Sequence, residues 1–169
     1  SVTNYTSITT YDPADNVLTE TDSRGVIRQH STDALNRRVR TLVSGPHGGN
    51  IMTLSNRFDR VGNVTNTTDL HGFTTRFEHD GLYRLVTTFL PIPNGIIRSQ
   101  PDRTGAIRSS TDANGNRTIN EYDRLYRLIR TTDPVGNVRT NAYDASGNRL
   151  VEHSLSSGLR SEWSYDGLN

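Results

Sequence analysis

Thirteen aspartates recur along the chain at offsets that could serve acid–base chemistry or bind a cation. Seven of them have a glycine three residues later, as Asp112 has Gly115 and Asp133 has Gly136. Paired carboxylates are groups that can share acid and base roles in catalysis. Asp at the start of a tight turn has a simpler use, because its side chain accepts a hydrogen bond from the backbone amide two residues on, while Gly supplies a positive φ. We therefore predict that these aspartates are structural turn residues.

Metal and cofactor sites are not indicated by the remaining polar residues. Asp112, Asn114 and Asn116 place oxygen atoms at alternate positions, as a calcium loop does, but Arg117 stands where an EF-hand needs Gly and no Glu follows at the twelfth position. The chain contains no Cys, and its five histidines have no close zinc spacing. His71 and His79 flank one predicted strand and are interpreted as surface imidazoles. We predict no metal, no cofactor and no enzymatic activity.

The positive charges are all arginine and are spread among the acidic residues. Nineteen Arg side chains stand against eighteen Asp and Glu, giving a net charge of +1. A nucleic-acid-binding protein concentrates its excess positive charge, so we predict no nucleic-acid partner. Instead, we expect the guanidinium groups to form cross-strand ion pairs and to stack on Tyr.

Length and composition indicate one folded repeat array. The chain has 169 residues, of which 31% are hydrophobic, and its nearly balanced charge is unlike that of a disordered polymer. No apolar run approaches the roughly 20 residues that a membrane-spanning helix needs, so we predict no membrane insertion. Asn, Asp, Gly and Thr are abundant, which favours turns and β-strands.

The aspartates that could do chemistry follow a period. One series, often preceded by Tyr or Phe, has successive spacings of 21, 26, 21, 22, 21, 21 and 22 residues, and further aspartates lie about ten residues after several of its members. A turn plus a strand of about six residues fits each half-period, so one period makes one antiparallel hairpin. The predicted turn residues are Asp12, Asp22, Gly25, Asp33, Asp59, Gly62, Asp69, Gly72, Asp80, Asp102, Gly105, Asp112, Gly115, Asp123, Asp133, Gly136, Asp144, Gly147 and Asp166.

These hairpins predict an all-β fold in which each unit is stabilised by its neighbours. Residues 44–50 and 91–95 interrupt the period and are interpreted as longer hairpin tips, as is the segment 156–158. Because the period resumes after each interruption, we predict one continuous array over residues 1–169. The chain begins and stops within a unit, so we also expect a fragment of a longer protein.

Tyr-Asp pairs at this spacing, followed by Gly-Asn and by Arg-Leu, resemble the Rhs or YD-repeat family. The clearest stretch runs from Asp102 to Asn169 and includes 122–128 (YDRLYRL), 133–137 (DPVGN) and 143–150 (YDASGNRL). The resemblance implies tandem hairpins in a curved, spiral sheet that forms part of a hollow β-shell. In bacteria such a shell commonly encloses a toxin, as in the C components of insecticidal toxin complexes, and teneurins have a similar shell on animal cell surfaces.

The resemblance also implies one specific catalytic hypothesis. Rhs proteins often release their cargo by aspartyl self-cleavage near a DPxG-type motif, and Asp133-Pro134-Val135-Gly136 matches its beginning. This segment shares its register with the turn at Asp112 and is followed by another full unit. We therefore predict that Asp133 is a turn residue.

The leading functional prediction is a non-enzymatic structural segment of a secreted or cell-surface shell that encloses or scaffolds a toxin or effector. Its partners would be the remaining repeats of the parent protein and an enclosed toxin domain. An alternative is a surface-recognition module that binds a glycan or a partner protein through the two long tips and exposed aromatic residues, although core packing is expected for most of Tyr5, Tyr11, Tyr83, Tyr126 and Trp163. A lesser alternative is edge-to-edge self-association into filaments.

Overall fold

Short turn-forming motifs between β-prone segments give the chain an all-β fold. The computed structural model describes residues 6–46, 49, 51–93 and 95–166, and these contain no α-helix. The chain divides into two units, Ser1–Tyr83 and Arg84–Asn169. The predicted all-β fold of tandem antiparallel hairpins is confirmed.

The first unit contains seven strands. In sequence order they are β1 (Ile8–Tyr11), β2 (Val17–Thr21), β3 (Ile27–Thr32), β4 (Arg38–Ser44), β5 (Met52–Phe58), β6 (Val64–Thr68) and β7 (Thr74–His79). Each strand pairs antiparallel with the strand before or after it in sequence, from β1 with β2 to β6 with β7.

The second unit contains eight strands. They are β8 (Leu85–Phe89), β9 (Ile96–Pro101), β10 (Ile107–Thr111), β11 (Arg117–Tyr122), β12 (Leu128–Thr132), β13 (Val138–Tyr143), β14 (Arg149–Ser154) and β15 (Arg160–Glu162). Pairing is again antiparallel between sequence neighbours, from β8 with β9 to β14 with β15.

Successive hairpin turns alternate between the two ends of each sheet, since every strand reverses direction. The turns at one end belong to the 21-residue series, and we call them YD turns. They begin at Asp12, Asp33 and Asp59 in the first unit and at Asp102, Asp123 and Asp144 in the second.

Hairpins closed by YD turns differ from the others in register. Each has a register shift beside its turn, and the residue that is skipped lies six positions after the turn aspartate, as Ile129 does after Asp123 and Leu150 after Asp144. The same holds for the other four, where the skipped residues are Leu18, Val39, Thr65 and Arg108. Hairpins at the other end, such as β12–β13, keep a regular register. A bulge bends and twists its strand, so the two ends of each sheet have different geometry.

No hydrophobic side chain among the described residues is buried. The buried side chains there are polar: His30, Thr41 and Ser109. His30 lies opposite Thr41 in the β3–β4 register and bonds its hydroxyl at 2.9 Å, while its other ring nitrogen lies 3.2 Å from Glu20. Hydrogen bonds along the sheet, rather than a packed apolar centre, therefore hold these units together.

Candidate functional site

Each turn aspartate uses its carboxylate to organise five residues of backbone. In the turn at Asp133, Oδ1 accepts the amides of Val135 at 3.0 Å and Asn137 at 2.8 Å. The Gly136 amide donates to the Asp133 carbonyl at 3.1 Å, and the Asp133 amide donates to the Asn137 carbonyl at 2.9 Å. This is a type I turn closed by a residue with positive φ.

The same backbone turn is made at eleven of the predicted aspartates. They are Asp12, Asp22, Asp33, Asp59, Asp69, Asp80, Asp102, Asp112, Asp123, Asp133 and Asp144. The predicted glycines occupy the positive-φ position, at Gly25, Gly62, Gly72, Gly105, Gly115, Gly136 and Gly147. Asp166 follows β15, and its expected turn extends to residues 167–169, outside the described residues.

Non-glycine residues occupy the positive-φ position in four turns, which the D-x-x-G motif does not predict. They are Asp15, Asn36, Tyr83 and Tyr126, with φ between 58° and 65°. Asn and Asp tolerate this region, whereas Tyr rarely adopts it. A sequence signal exists: the turns with Asn36, Tyr83 and Tyr126 share the pattern D-x-L-[NY]-R.

The expectation that most of the aromatic residues pack in a core is wrong for Tyr11, Tyr83 and Tyr126. Tyr83 and Tyr126 are 60% and 55% exposed at the tips of their turns, and Tyr11 is 57% exposed at the end of β1. Each lies beside a turn, where no second layer covers it. Trp163 is 37% exposed and lies against the Arg149 guanidinium, with 4.4 Å from Cζ to the ring centroid. Tyr5 lies outside the described residues.

Arg127 joins two neighbouring YD turns. Its Nε donates to Asp123 Oδ2 at 2.7 Å, within its own turn, and its Nη1 donates to the Asp144 carbonyl at 2.7 Å. The guanidinium carbon lies 4.9 Å from the centroid of the Tyr143 ring. We call this arrangement the arginine clasp. The aromatic residue before the next aspartate provides the ring on which the guanidinium stacks.

Where the D-x-L-[NY]-R pattern recurs, Arg37 makes the full clasp, while Arg84 makes the bond to the next turn, where Pro101 stands in place of the aromatic residue. Arg37 donates to Asp33 Oδ2 at 2.7 Å and to the Asp59 carbonyl at 3.2 Å, and stacks on Phe58 at 4.6 Å. Arg84 donates to the Asp102 carbonyl at 2.8 Å. The pattern therefore repeats about every two hairpins, so each clasp alternates with a YD turn of the D-x-x-G type.

Arginines outside the clasps pair both within and across strands. Arg108 bonds Asp102 at 2.7 Å and stacks on Tyr122. The expected cross-strand ion pairs include Arg130 with Glu121, directly opposite it in the β11–β12 register.

At the bulges beside the Asp102 and Asp123 turns, side chains from the next strand capture the exposed carbonyl. Tyr143 Oη and Asn141 Nδ2 both donate to the Leu128 carbonyl, at 2.8 and 3.0 Å. One repeat earlier, Tyr122 and Asn120 donate to the Ile107 carbonyl at 3.2 and 3.1 Å. The hydroxyl of the tyrosine in the Tyr-Asp pair thus takes the place of a backbone donor at the carbonyl left unpaired by the bulge.

Hydrogen bonds favour the ionised form of nine of the turn carboxylates. The Asn137 side-chain hydrogen bond lowers the pKa of Asp133 below its ordinary value, and the Asn16 side chain does the same for the pKa of Asp12. For Asp123 the backbone amide of Arg127 is the largest cause of its lowered pKa. A carboxylate with a lowered pKa is a poor proton donor at neutral pH, so this geometry suits turn formation rather than acid catalysis.

Within the described part of the chain, no three or more His, Asp or Glu side chains are grouped as a metal site, and no helix is long and apolar enough to span a membrane. The tip at 44–50 is bridged from the Gly45 amide to the Gly49 carbonyl, and the tip at 91–95 from the Leu90 amide to the Gly95 carbonyl. Residues 47, 48, 50 and 94 of these tips lie outside the described residues.

Comparison with known proteins places the repeat in a family context. The family model described as RHS Repeat matches residues 102–138. No curated protein matches the sequence.

Solved structures with the same fold include "Crystal Structure of TcdB2-TccC3-TEV", which has 18% identity to this chain over 98% of its length, with a TM-score of 0.72. The structure of TcdB2-TccC3 without its hypervariable C-terminal region has 18% identity over 95%, also with a TM-score of 0.72. The Tc holotoxin pore of Photorhabdus luminescens, with the mutation TccC3-D651A, has 19% identity over 93% and a TM-score of 0.69. This chain spans about a tenth of the length of each of these chains. The resemblance to the Rhs/YD-repeat family is thereby confirmed, with RHS repeats at residues 102–138 and the toxin-complex fold over nearly the whole chain.

Proposed function

We propose that this chain is a non-enzymatic wall segment of a larger, secreted or cell-surface Rhs/YD shell that encloses or scaffolds a toxin or effector. The observation that supports this most is the absence of any buried hydrophobic side chain among the described residues, in a fold shared with toxin-complex proteins about ten times longer. A sheet without its own core depends on neighbouring structure for stability.

The outer strands are suited to continuing the array. Among the described residues, β1 pairs with β2 and β15 pairs with β14, and neither has a partner strand on its other side. An unpaired edge of this kind accepts a further hairpin with the same register. The partners of this segment are thus the remaining repeats of the parent protein.

The side chains on the sheet suit enclosure better than tight binding. Thr, Ser, Asn and paired Arg and Glu side chains occupy much of the strand surface. Such polar side chains stay hydrated, so they form few strong apolar contacts with an enclosed chain. Containment by a wall therefore needs no specific contact with the cargo.

A deletion in the parent shell protein tests this proposal. Removing residues 102–143 deletes two complete hairpin periods. Pro101 is then followed directly by Asp144, which occupies the same position in the repeat as Asp102. We expect the cargo domain to become sensitive to added protease while the intact shell protects it. Equal sensitivity of the cargo in the intact and shortened proteins would overturn the proposal.

A second variant separates a structural from a catalytic role of Asp133. Asp133→Asn keeps an oxygen acceptor for the turn amides but removes the carboxylate that aspartyl cleavage requires. We expect cargo release from the parent protein to be unchanged. Loss of release in a folded Asp133→Asn variant would show that the segment is enzymatic.

A further inference from the structure

A small polar cavity of about 240 Å³ lies on one face of β5, β6 and β7 in the first unit. It is lined by Ser55, Arg57, Asn66, Thr68 and Thr74. These side chains share a face, because Arg57 lies opposite Asn66, and Thr68 lies opposite both Ser55 and Thr74 in the strand register. None of the five residues is buried, so a group in solvent can reach them. None of them belongs to a YD turn or an arginine clasp.

The cross-strand pair of Arg57 and Asn66 has an equivalent in the other YD hairpins. Its members lie two residues before the turn aspartate and seven residues after it. In four hairpins the two side chains at these positions suit each other: Thr10 with Thr19, Gln100 with Ser109, Glu121 with Arg130, and Ala142 with Val151. The first two pairs are hydrogen bonded at 2.6 and 2.7 Å, and the third is an ion pair at 3.6 Å.

The pair at the cavity is not matched in this way. Among the described residues, the side chains of Ser55, Arg57 and Asn66 have no hydrogen-bond or ion-pair partner. The hydroxyls of Thr68 and Thr74 lie 2.9 Å apart, and this bond uses one hydroxyl proton and leaves the other free to donate. The cavity therefore presents unused donors from a guanidinium, an amide and hydroxyl groups, and its lining contains no carboxylate.

A second arginine adds positive charge beside the cavity. Arg40 on β4 lies directly opposite Ser55 and is therefore diagonal to Arg57, at a separation of about 7–8 Å for such positions. Arg40 has no ion pair among the described residues. Glu78, on the same face of β7, is bonded to Arg76 at 3.1 Å. The charges of Arg40 and Arg57 are thus not compensated by an acidic side chain of this face.

We propose that this cavity binds a tetrahedral oxyanion, the sulfate or phosphate group of a ligand. Guanidinium, amide and hydroxyl groups from neighbouring strands are the donors that such a group accepts, and its charge compensates Arg40 and Arg57. A carboxylate has only two oxygens and would leave more of these donors unused. The cavity is smaller than the roughly 300–1,000 Å³ of typical small-molecule sites, which suits one charged group rather than a whole organic ligand. This inference goes beyond the shell proposal and does not rest on it.

Titration of the full chain with inorganic sulfate and, separately, with inorganic phosphate tests the site. The ionic strength is held constant with sodium chloride, and the side-chain N–H signals of Arg57 and Asn66 are followed by NMR. We expect saturable shifts that give both side chains one dissociation constant, in the millimolar range. The tighter of the two anions identifies the group that the site prefers, and acetate should bind more weakly than either.

Arg57→Gln removes the charge that lines the cavity. We expect about tenfold weaker binding of the oxyanion, because a charge-assisted hydrogen bond is lost. The matched control is Arg60→Gln, which removes the same charge from an exposed position on the adjacent YD turn, outside the cavity lining. At physiological ionic strength this more distant charge is largely screened, so the control should change the affinity by less than about twofold.

Asn66→Glu tests the site from the opposite direction. It places a carboxylate opposite Arg57, as Glu121 stands opposite Arg130 in the second unit. We expect the new ion pair to abolish oxyanion binding while the fold is retained, as checked by circular dichroism and urea denaturation. This variant keeps the test decisive if Arg57→Gln lowers stability.

Four results would overturn the proposal: no saturable shift with sulfate or phosphate, equal loss of affinity in Arg57→Gln and Arg60→Gln, undiminished binding in a folded Asn66→Glu variant, or acetate binding as tightly as the oxyanions. The second of these would indicate diffuse attraction to positive charge rather than a site. All of these measurements use the chain without cargo, so a failure here is distinguishable from a failure of the shell proposal, which is measured by protease protection.

Discussion

In the hairpins that have a turn aspartate, the reversal depends on this residue, because its two carboxylate oxygens accept different hydrogen bonds. In the turn at Asp133, Oδ1 accepts two backbone amides, while Oδ2 accepts the Asn137 side chain at 2.8 Å. In the clasp turns Arg takes the place of Asn, as Arg127 does against Asp123. Glu would place its carboxylate one carbon too far out to reach the amide two residues on.

The positive-φ glycine imposes a requirement that a matched pair of variants can isolate. Gly136 has φ of 87°, and beyond its chain neighbours no atom lies within 4 Å of the position that an added Cβ would take, so Gly136→Ala changes conformational energy without a clash. We expect it to lower the free energy of unfolding by about 1 kcal/mol, measured by urea denaturation. Gly81 also has open space around it and does not have a positive φ, so Gly81→Ala should leave stability unchanged or raise it by up to about 1 kcal/mol. Equal destabilisation by both variants would contradict this account.

At the scale of the hairpin, the bulge and the aromatic residue before the turn aspartate work together. The bulge directs a carbonyl, such as that of Leu128, away from the partner strand of its hairpin. The next strand donates hydrogen bonds to this carbonyl from a tyrosine hydroxyl and an asparagine amide. The ladder is therefore continued by side chains at the YD end of the sheet. The alternation of residues along a strand predicts the strand itself, but it does not predict that side chains take the place of backbone donors at the bulge.

The arginine clasp should contribute measurably to stability. Arg127→Met keeps most of the aliphatic stem but removes the hydrogen bonds to Asp123 and Asp144 and the charge over Tyr143. We expect the free energy of unfolding to fall by about 1–2 kcal/mol, since the side chain is partly exposed. The measurement is urea denaturation of the full chain.

Arg124 offers the matched control for this prediction. It is exposed on the same turn, so Arg124→Met should change stability by less than about 0.5 kcal/mol. Equal stability of the Arg127→Met and Arg124→Met variants would show that the clasp does not contribute to the free energy of unfolding.

At the scale of the molecule, stability is distributed over repeated polar contacts rather than concentrated in a core. Large apolar side chains such as Leu35, Leu125 and Val135 remain 66%, 67% and 82% exposed at the turns. Each unit then behaves as a series of neighbouring hairpins, whose stability is a sum of local and nearest-neighbour contributions.

Acid should unfold this molecule through its turns. Hydrogen bonds in the folded chain lower the pKa of nine turn aspartates, whereas in the unfolded chain these groups return to about 3.9. They are Asp12, Asp22, Asp33, Asp59, Asp102, Asp112, Asp123, Asp133 and Asp144.

Because the unfolded chain binds more protons in this range, the stabilisation is fully present above the unfolded pKa and is lost as the pH falls through the folded values. We expect the melting temperature, followed by circular dichroism, to be constant from pH 7 to about pH 5 and to fall below about pH 4. A melting temperature that stayed level or rose on acidification would contradict the role assigned to these carboxylates.

Local motifs were sufficient to predict the all-β fold and the family resemblance. A D-x-x-G turn is complete within five residues, so its hydrogen bonds follow from residue types alone, as at Asp112. Tyr83 and Tyr126 could not be placed in this way, because Tyr takes a positive φ only where the surrounding turn imposes it.

The sequence by itself determined where the chain reverses and that the segments between reversals are strands. Only the tertiary structure decided which side chains meet across the sheet: Arg127 reaches a carbonyl 17 residues away, and Asn141 a carbonyl 13 residues away. The physical reason is that turns depend on neighbours in sequence, whereas the clasp and the Asn141 hydrogen bond depend on strand register and on which residues lie close across the sheet.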